Sequence, residues 1–195
     1  RLCLKRSLDV IIAGMLLAVL APVMGAIASA IRIDSPGAAV FRQQRIGRGG
    51  RLFTIYKFRS MRVDADPEVH RQFLAANANR ADGDLTHFKV PCDDRITRVG
   101  RVLRPTSLDE LPQLVNVVKG EMSLVGPRPD ITYSLDHYAP KHYRRFAVLP
   151  GLTGLWQVSG RSWLSYHQML ELDLDYLDRW SLWLDLRLLV RTVPE

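Results

Sequence analysis

Twenty-two consecutive uncharged residues, Val10 to Ile31 (VIIAGMLLAVLAPVMGAIASAI), constrain this chain more than any other feature. At about 1.5 Å per residue they make about 33 Å of helix, enough to cross a bilayer core once. No cleavage site leads from them into a mature domain, which argues against a signal peptide. The run is also a poor candidate for the core helix of a soluble protein, being long and apolar all round. Pro22 stands at its middle, where it removes a backbone hydrogen bond and crowds the preceding turn. Positive charge flanks both ends: Arg1, Lys5 and Arg6 before it, and Arg32, Arg42, Arg45, Arg48 and Arg51 after it. Cytoplasmic flanks collect Lys and Arg, so both ends read as cytoplasmic. A helix-break-helix over residues 8–33, entering and leaving by one face, reconciles proline and charge better than a single crossing. Each half reaches about 15–18 Å into the hydrocarbon. The backbone groups freed at the break then need a partner from the protein, such as Ser29.

The remainder, residues 34–195, is long enough for one globular domain on the cytoplasmic face, so 1–195 reads as a single unit. Lys and Arg number 27 against 20 Asp and Glu, and this basic surplus calls for an anionic partner: nucleic acid, acidic lipid or a phosphorylated substrate. Cys3 and Cys92 are far apart, and the five histidines show no zinc spacing. A reduced compartment without structural disulfides follows. The chain begins on Arg1, which leaves open a longer protein.

Ala39–Ile46 and Arg51–Phe58 alternate apolar and polar residues around Gly47-Arg-Gly-Gly50 and predict a β-hairpin. A short helix is expected near Glu68–Ala76, with little chemistry around it. Arg95, Arg98, Arg101 and Arg104 recur every third residue between branched apolar ones. At helical spacing they form one basic stripe, ending at Pro105 just before two adjacent acids. Those acids, Asp109 and Glu110, admit two readings. Ser107-x-x-Glu110 spells a capping box, an ordinary helix start. Carboxylates framed by arginines can instead attack a phosphorus and hold its metal. A helix runs on to about Lys119, capped by Gly120. Pro112 is awkward inside it, and a start near Leu111 would leave both acids on the preceding turn. Gly126-Pro-Arg-Pro129 presents Arg128 with little freedom, as a surface turn or a phosphate contact. All four tryptophans lie between Trp156 and Trp183, and Ser181–Val190 is apolar with few charges. That segment reads equally as a core helix or as one lying on a membrane. The fold class is α+β, mostly helical, with a re-entrant membrane segment, a small hairpin and amphipathic interface helices.

Several motifs now stand together: Phe41-Arg-Gln-Gln-Arg-Ile-Gly47, Lys57-Phe-Arg-Ser-Met61, Thr106-Ser-Leu-Asp-Glu-Leu-Pro-Gln113, Lys119-Gly-Glu-Met-Ser-Leu-Val-Gly-Pro-Arg-Pro129 and Pro150-Gly-Leu-Thr-Gly-Leu-Trp-Gln157. With the broken apolar segment, they make the whole chain resemble the bacterial sugar transferases, monotopic phosphoglycosyl transferases. The resemblance implies transfer of sugar-1-phosphate from a UDP-sugar to polyprenyl (undecaprenyl) phosphate, with release of UMP. It implies Asp109 as nucleophile and Glu110 as ligand of a Mg²⁺ ion. Lys57, Arg59, Arg104, Arg128 and Arg161 match residues lining the site, and Pro22 matches the membrane break. It further implies the cytoplasmic face of a bacterial inner membrane, lipid contact, and a role in assembling an exopolysaccharide, capsule, O-antigen or glycoprotein glycan. Homo-oligomerisation is left open, as is the membrane domain that larger members carry at the N-terminus. Two positions depart from the pattern: Ala21-Pro22 replaces Ser-Pro, and Leu149 stands where a basic residue is common.

A non-catalytic, membrane-anchored protein binding anionic lipid or nucleic acid is the competing reading. Nucleic acid is disfavoured, because no aromatic side chains interleave with the basic ones as stacking platforms.

Overall fold

The computed structural model describes residues 2–66, 68–77, 93–160 and 164–192. Its first element, α1 (Leu2–Asp34), is the one helix among the described residues long and apolar enough to cross a membrane. The helix is not interrupted at Ala21-Pro22, contrary to the expected helix-break-helix. Pro22 deletes only the bond to the Ala18 carbonyl, and a helix can continue past such a loss. Ser29 does not serve that carbonyl: its hydroxyl donates to Gly25 O at 3.0 Å, one turn back along its own helix.

Both ends of α1 are tied to the same body. Near the start, Asp9 is buried and accepts from Ser123 Oγ (2.7 Å) and Leu124 N (3.2 Å). Lys5 pairs with Asp185 at 2.6 Å, and Arg6 donates to the carbonyls of Val117 and Val118. Ala13 is sealed in the main core with Leu114, Val117, Met122 and Leu188. At the far end Ile31 joins a second core with Ala39, Phe58 and Leu103, while Asp34 accepts from Val99 N at 3.0 Å. Between these anchors Ala18, Val19, Ala21, Pro22 and Val23 are exposed.

The hairpin forms as its alternation predicts. Strands β1 (Val40–Ile46) and β2 (Leu52–Phe58) pair antiparallel, turning through Gly49 and Gly50 at positive φ. Helix α2 covers Glu68–Asn77. Helix α3 spans only Arg98–Leu103, because Thr97 caps it by accepting from Gly100 N at 3.0 Å. The expected four-arginine helical stripe is therefore cut: Arg95 lies outside the helix and pairs with Asp93. Helix α4 (Gln113–Lys119) ends on Gly120 in the left-handed conformation. Next come β3 (Ser123–Val125) and, in parallel with it, β4 (Gly151–Thr153). Two 3₁₀ stretches, Thr132–His137 and Pro140–Ala147, join those strands.

Ser165 and Gln168 cap α5 (Tyr166–Arg179) reciprocally. The last element, α6 (Leu182–Thr192), buries Asp185 and Leu188 but leaves Trp183, Leu186 and Val190 between 51% and 66% exposed. It is core on one side and apolar towards the outside on the other.

Candidate active site

Helix α3 ends abruptly. Thr106 Oγ1 bonds back to the carbonyls of Val102 and Leu103, and Pro105 cannot extend the helix. The chain reverses at Ser107, whose φ of 55° is left-handed and sterically unfavourable for a residue with a Cβ. Leu108–Glu110 then forms one 3₁₀ turn before α4. Both acids thus stand on the turn preceding the helix, where Pro112 suggested they would. The capping box does not form. Ser107 makes no side-chain cap bond, and the Glu110 carboxylate that would complete the box is engaged elsewhere.

Glu110 is clamped. Lys57, at the end of β2, reaches its Oε1 at 2.9 Å, and Arg128 donates to both carboxylate oxygens, one at 3.2 Å. Bidentate arginine–carboxylate pairing fixes direction as well as charge. Arg128 is held in turn by the prolines on either side of it, and its carbonyl accepts from Arg145 at 2.8 Å. Burial alone would raise the Glu110 carboxyl, but Arg128 and Lys57 override it and hold the group well below the usual carboxylate range. Burial also depresses the Lys57 ammonium, with Arg128 and Arg45 adding to the effect.

Asp109 is the opposite. Its carboxylate has no hydrogen bond or ion pair among the described residues, and it lines a cavity of about 1520 Å³. Burial pushes its pKa above the ordinary value, and the neighbouring Glu110 charge adds to this. Arg104 lines the same cavity with its guanidinium likewise unpaired among the described residues. The cavity runs from this pair to the underside of α1, where Ile12, Leu16 and Ala28 form an apolar roof.

The other sequence-derived candidates fare differently. Arg59 is buried, and its guanidinium is committed to backbone: Pro36 O at 2.6 Å, Ser35 O at 2.7 Å and Ile31 O at 3.4 Å. It closes the C-terminal end of α1, and only its Nε remains unmatched. Arg161 lies outside the described residues, and Pro22 belongs to the exposed middle of α1. Among the described residues no three His, Cys, Asp or Glu side chains converge on a metal position. A metal here would draw most of its ligands from substrate and water, which is how Mg²⁺ commonly binds at phosphate sites. Glu110 Oε2 accepts one bond where Oε1 accepts two, so it retains a lone pair for such an ion.

Several cavity residues escaped sequence reasoning. Arg145 is a buried hub pairing with both Asp130 (2.8 Å) and Asp173. Burial pushes the Asp173 carboxyl up to about 6. Arg45 lies beside Arg128 with its pKa lowered to about 10, mainly by burial and then by that neighbour. His70 on α2, where little chemistry was expected, bonds Tyr133 OH at 2.7 Å on the cavity wall. Arg45 stood within a quoted motif, but nothing in the spelling of Arg145 or Asp173 marks a network between residues 28 apart.

Known proteins match this chain over nearly its whole length. A UDP-glucose:undecaprenyl-phosphate glucose-1-phosphate transferase of Caulobacter vibrioides is 46% identical over 97% of the chain and 68% of its own length. The exopolysaccharide production protein ExoY of Rhizobium meliloti is 40% identical over 97% and 84%. An undecaprenyl-phosphate galactose phosphotransferase of Salmonella typhimurium is 44% identical over 97% of this chain, which spans only 39% of that relative. Residues 1–195 match the bacterial sugar transferase family from end to end, and the chain belongs to that family.

Proposed function

We propose that this chain transfers sugar-1-phosphate from a UDP-sugar to polyprenyl phosphate, with Asp109 as nucleophile and UMP as leaving group. The observation carrying the reading is the unlike pair: Glu110 clamped by Lys57 and Arg128, Asp109 unpaired among the described residues and facing the cavity. A carboxylate oxygen of Asp109 attacks the β-phosphorus of the donor, and the bond from that phosphorus to the bridging oxygen breaks, with both electrons leaving on UMP. An acceptor phosphate oxygen then attacks the same phosphorus and expels Asp109 as carboxylate. Splitting the transfer into two displacements in this way is covalent catalysis. Arg104 and Arg128 are placed to neutralise charge on the phosphate oxygens, where electrostatic stabilisation contributes most. Burial makes Asp109 more basic and so a better nucleophile than a solvated carboxylate. Mg²⁺ fits this reading, with Glu110 as its protein ligand; bound there, it would neutralise diphosphate charge.

The relatives named for undecaprenyl phosphate and UDP-glucose support both substrates. A non-catalytic anchor would not explain why one of two adjacent half-buried acids is left unpaired, among the described residues, beside cations. The deciding experiment uses donor without acceptor. A phosphosugar adduct should appear on the Asp109 peptide by mass spectrometry, and Asp109→Asn should release no UMP while still sedimenting with membranes. Undiminished turnover in that variant removes Asp109 as nucleophile.

We further propose that α1, which Pro22 can bend without interrupting the helix, dips into one leaflet and returns. Both of its ends are fixed to a single body while apolar side chains stay exposed along its length, from Leu4 and Ile11 to Val19, Val23 and Ile33, which suits a re-entrant path on the cytoplasmic face of the inner membrane. The outward stripe Trp183, Leu186 and Val190 of α6 would rest at the interface beside it. The exposed Cys3 then stays dark to an impermeant thiol reagent added outside intact spheroplasts. Labelling from outside would mean that α1 spans.

A further inference from the structure

Gln157 is 7% exposed, yet neither its Nε2 nor its Oε1 has a hydrogen-bond partner among the described residues. Gln113 also buries an unpartnered Nε2, but it does not line the cavity; Gln157 does. Leaving both ends of a primary amide unmatched away from water is costly, so the side chain is shaped for something that occupies the cavity. Its position relative to the acid pair narrows the choice. A Cβ on Gly154 would lie 2.4 Å from Gly126 O and 2.8 Å from Gln157 Oε1. The amide therefore sits near the Gly126 carbonyl, two residues before Arg128, and lines the same cavity as Arg128 and Asp109. On the other side Trp156 lines the cavity and packs with Leu74, Tyr166, Met169 and Leu170.

A flat ring with apolar faces and an adjacent donor and acceptor on one edge satisfies every one of these features. We propose that Gln157 and Trp156 form the nucleobase subsite of the donor. The Gln157 Nε2 donates to a uracil ring carbonyl, its Oε1 accepts the neighbouring ring N–H, and Trp156 lies against the ring face. The diphosphate then extends past the Gly126–Pro129 turn towards Asp109. This assignment rests on the reading of the donor as a UDP-sugar.

Inhibition of UMP release by UDP, CDP and inorganic diphosphate, measured with the full chain in detergent, tests it. In Gln157→Glu a carboxylate faces the ring. It still accepts from a uracil or cytosine N–H but has no donor for the ring acceptor beside it, so UDP and CDP inhibition should both weaken about tenfold or more. In Gln157→Leu, UDP inhibition should weaken about tenfold while inorganic diphosphate inhibits as before. Unchanged UDP inhibition in either variant overturns the subsite. So does a raised KM for the UDP-sugar with UDP inhibition intact, which would place the amide at the sugar. Failure of the donor reading itself would look different: the unaltered chain would release UMP from no UDP-sugar.

Discussion

Two buried lysine–carboxylate pairs in this chain share a geometry and differ in use. Lys5 and Asp185 meet at 2.6 Å, Lys57 and Glu110 at 2.9 Å. Around Asp185 both carboxylate oxygens are engaged: Tyr176 OH donates to Oδ1 at 2.7 Å and Trp180 Nε1 to Oδ2 at 3.2 Å. Lys5 also donates to Val125 O, and the cluster contains no unpaired charge. Around Glu110 the cations crowd in, while among the described residues the adjacent Asp109 is left without a partner and Arg104 without a counterion. A matched cluster holds a helix in place. A mismatched one is built to receive charge from outside, because its deficits are met only when a ligand arrives.

The comparison can be broken most severely at Asp109. Asp109→Asn should lower UMP release by about a thousandfold or more, as loss of a covalent nucleophile does. Yet the variant should be more stable at neutral pH. A carboxyl whose folded pKa is raised destabilises the fold once ionised, and the amide carries no charge. A fall in the melting temperature would mean that Asp109 has a structural partner after all. Lys5→Met should do the reverse. Removing one member of a buried pair costs about 3–5 kcal/mol, so chemical denaturation should show a large loss of stability, while UMP release per folded molecule stays close to that of the parent.

Arg104→Gln should sharpen the contrast with a smaller effect, about 10- to 100-fold on kcat/KM, with stability within about 0.5 kcal/mol because the guanidinium has no internal partner. An equal loss of stability would show that Arg104 is part of the scaffold. The smallest signal is the acid limb of the pH profile. Asp109 must be ionised to attack, and its pKa is raised, so activity should fall on acidification at a higher pH than an ordinary carboxylate near 4 would give. Glu110, held far below that range, stays ionised throughout and leaves no trace in the limb.

What the letters revealed depended on how locally each feature was determined. The hairpin, the helix at Glu68, the Gly120 cap and the position of the acids ahead of α4 all follow from turn chemistry or proline within a few residues. The capping box failed for a reason outside its four letters. Ser107 is forced left-handed by the reversal after α3, and Glu110 is claimed by residues 53 and 18 positions away. The parallel pair β3–β4 was invisible because three residues carry no measurable period. Arg59 looked like its neighbour Lys57, but two positions on, past the end of β2, it points at the carbonyls closing α1. The family motifs gave the dyad its meaning, whereas the Arg145 hub needs three dimensions to exist.

The double tethering of α1 has a consequence for where such a protein can live. A spanning helix must match the thickness of its bilayer, and mismatch is relieved by tilting or by sorting to another membrane. A helix fastened at both ends to one rigid body cannot tilt on its own, and on the proposed path it meets only one leaflet. On that path its depth would be set by Asp9 and Asp34 rather than by lipid length. The height of Asp109 above the hydrocarbon would then be a constant of the protein, the same in thin membranes and thick ones.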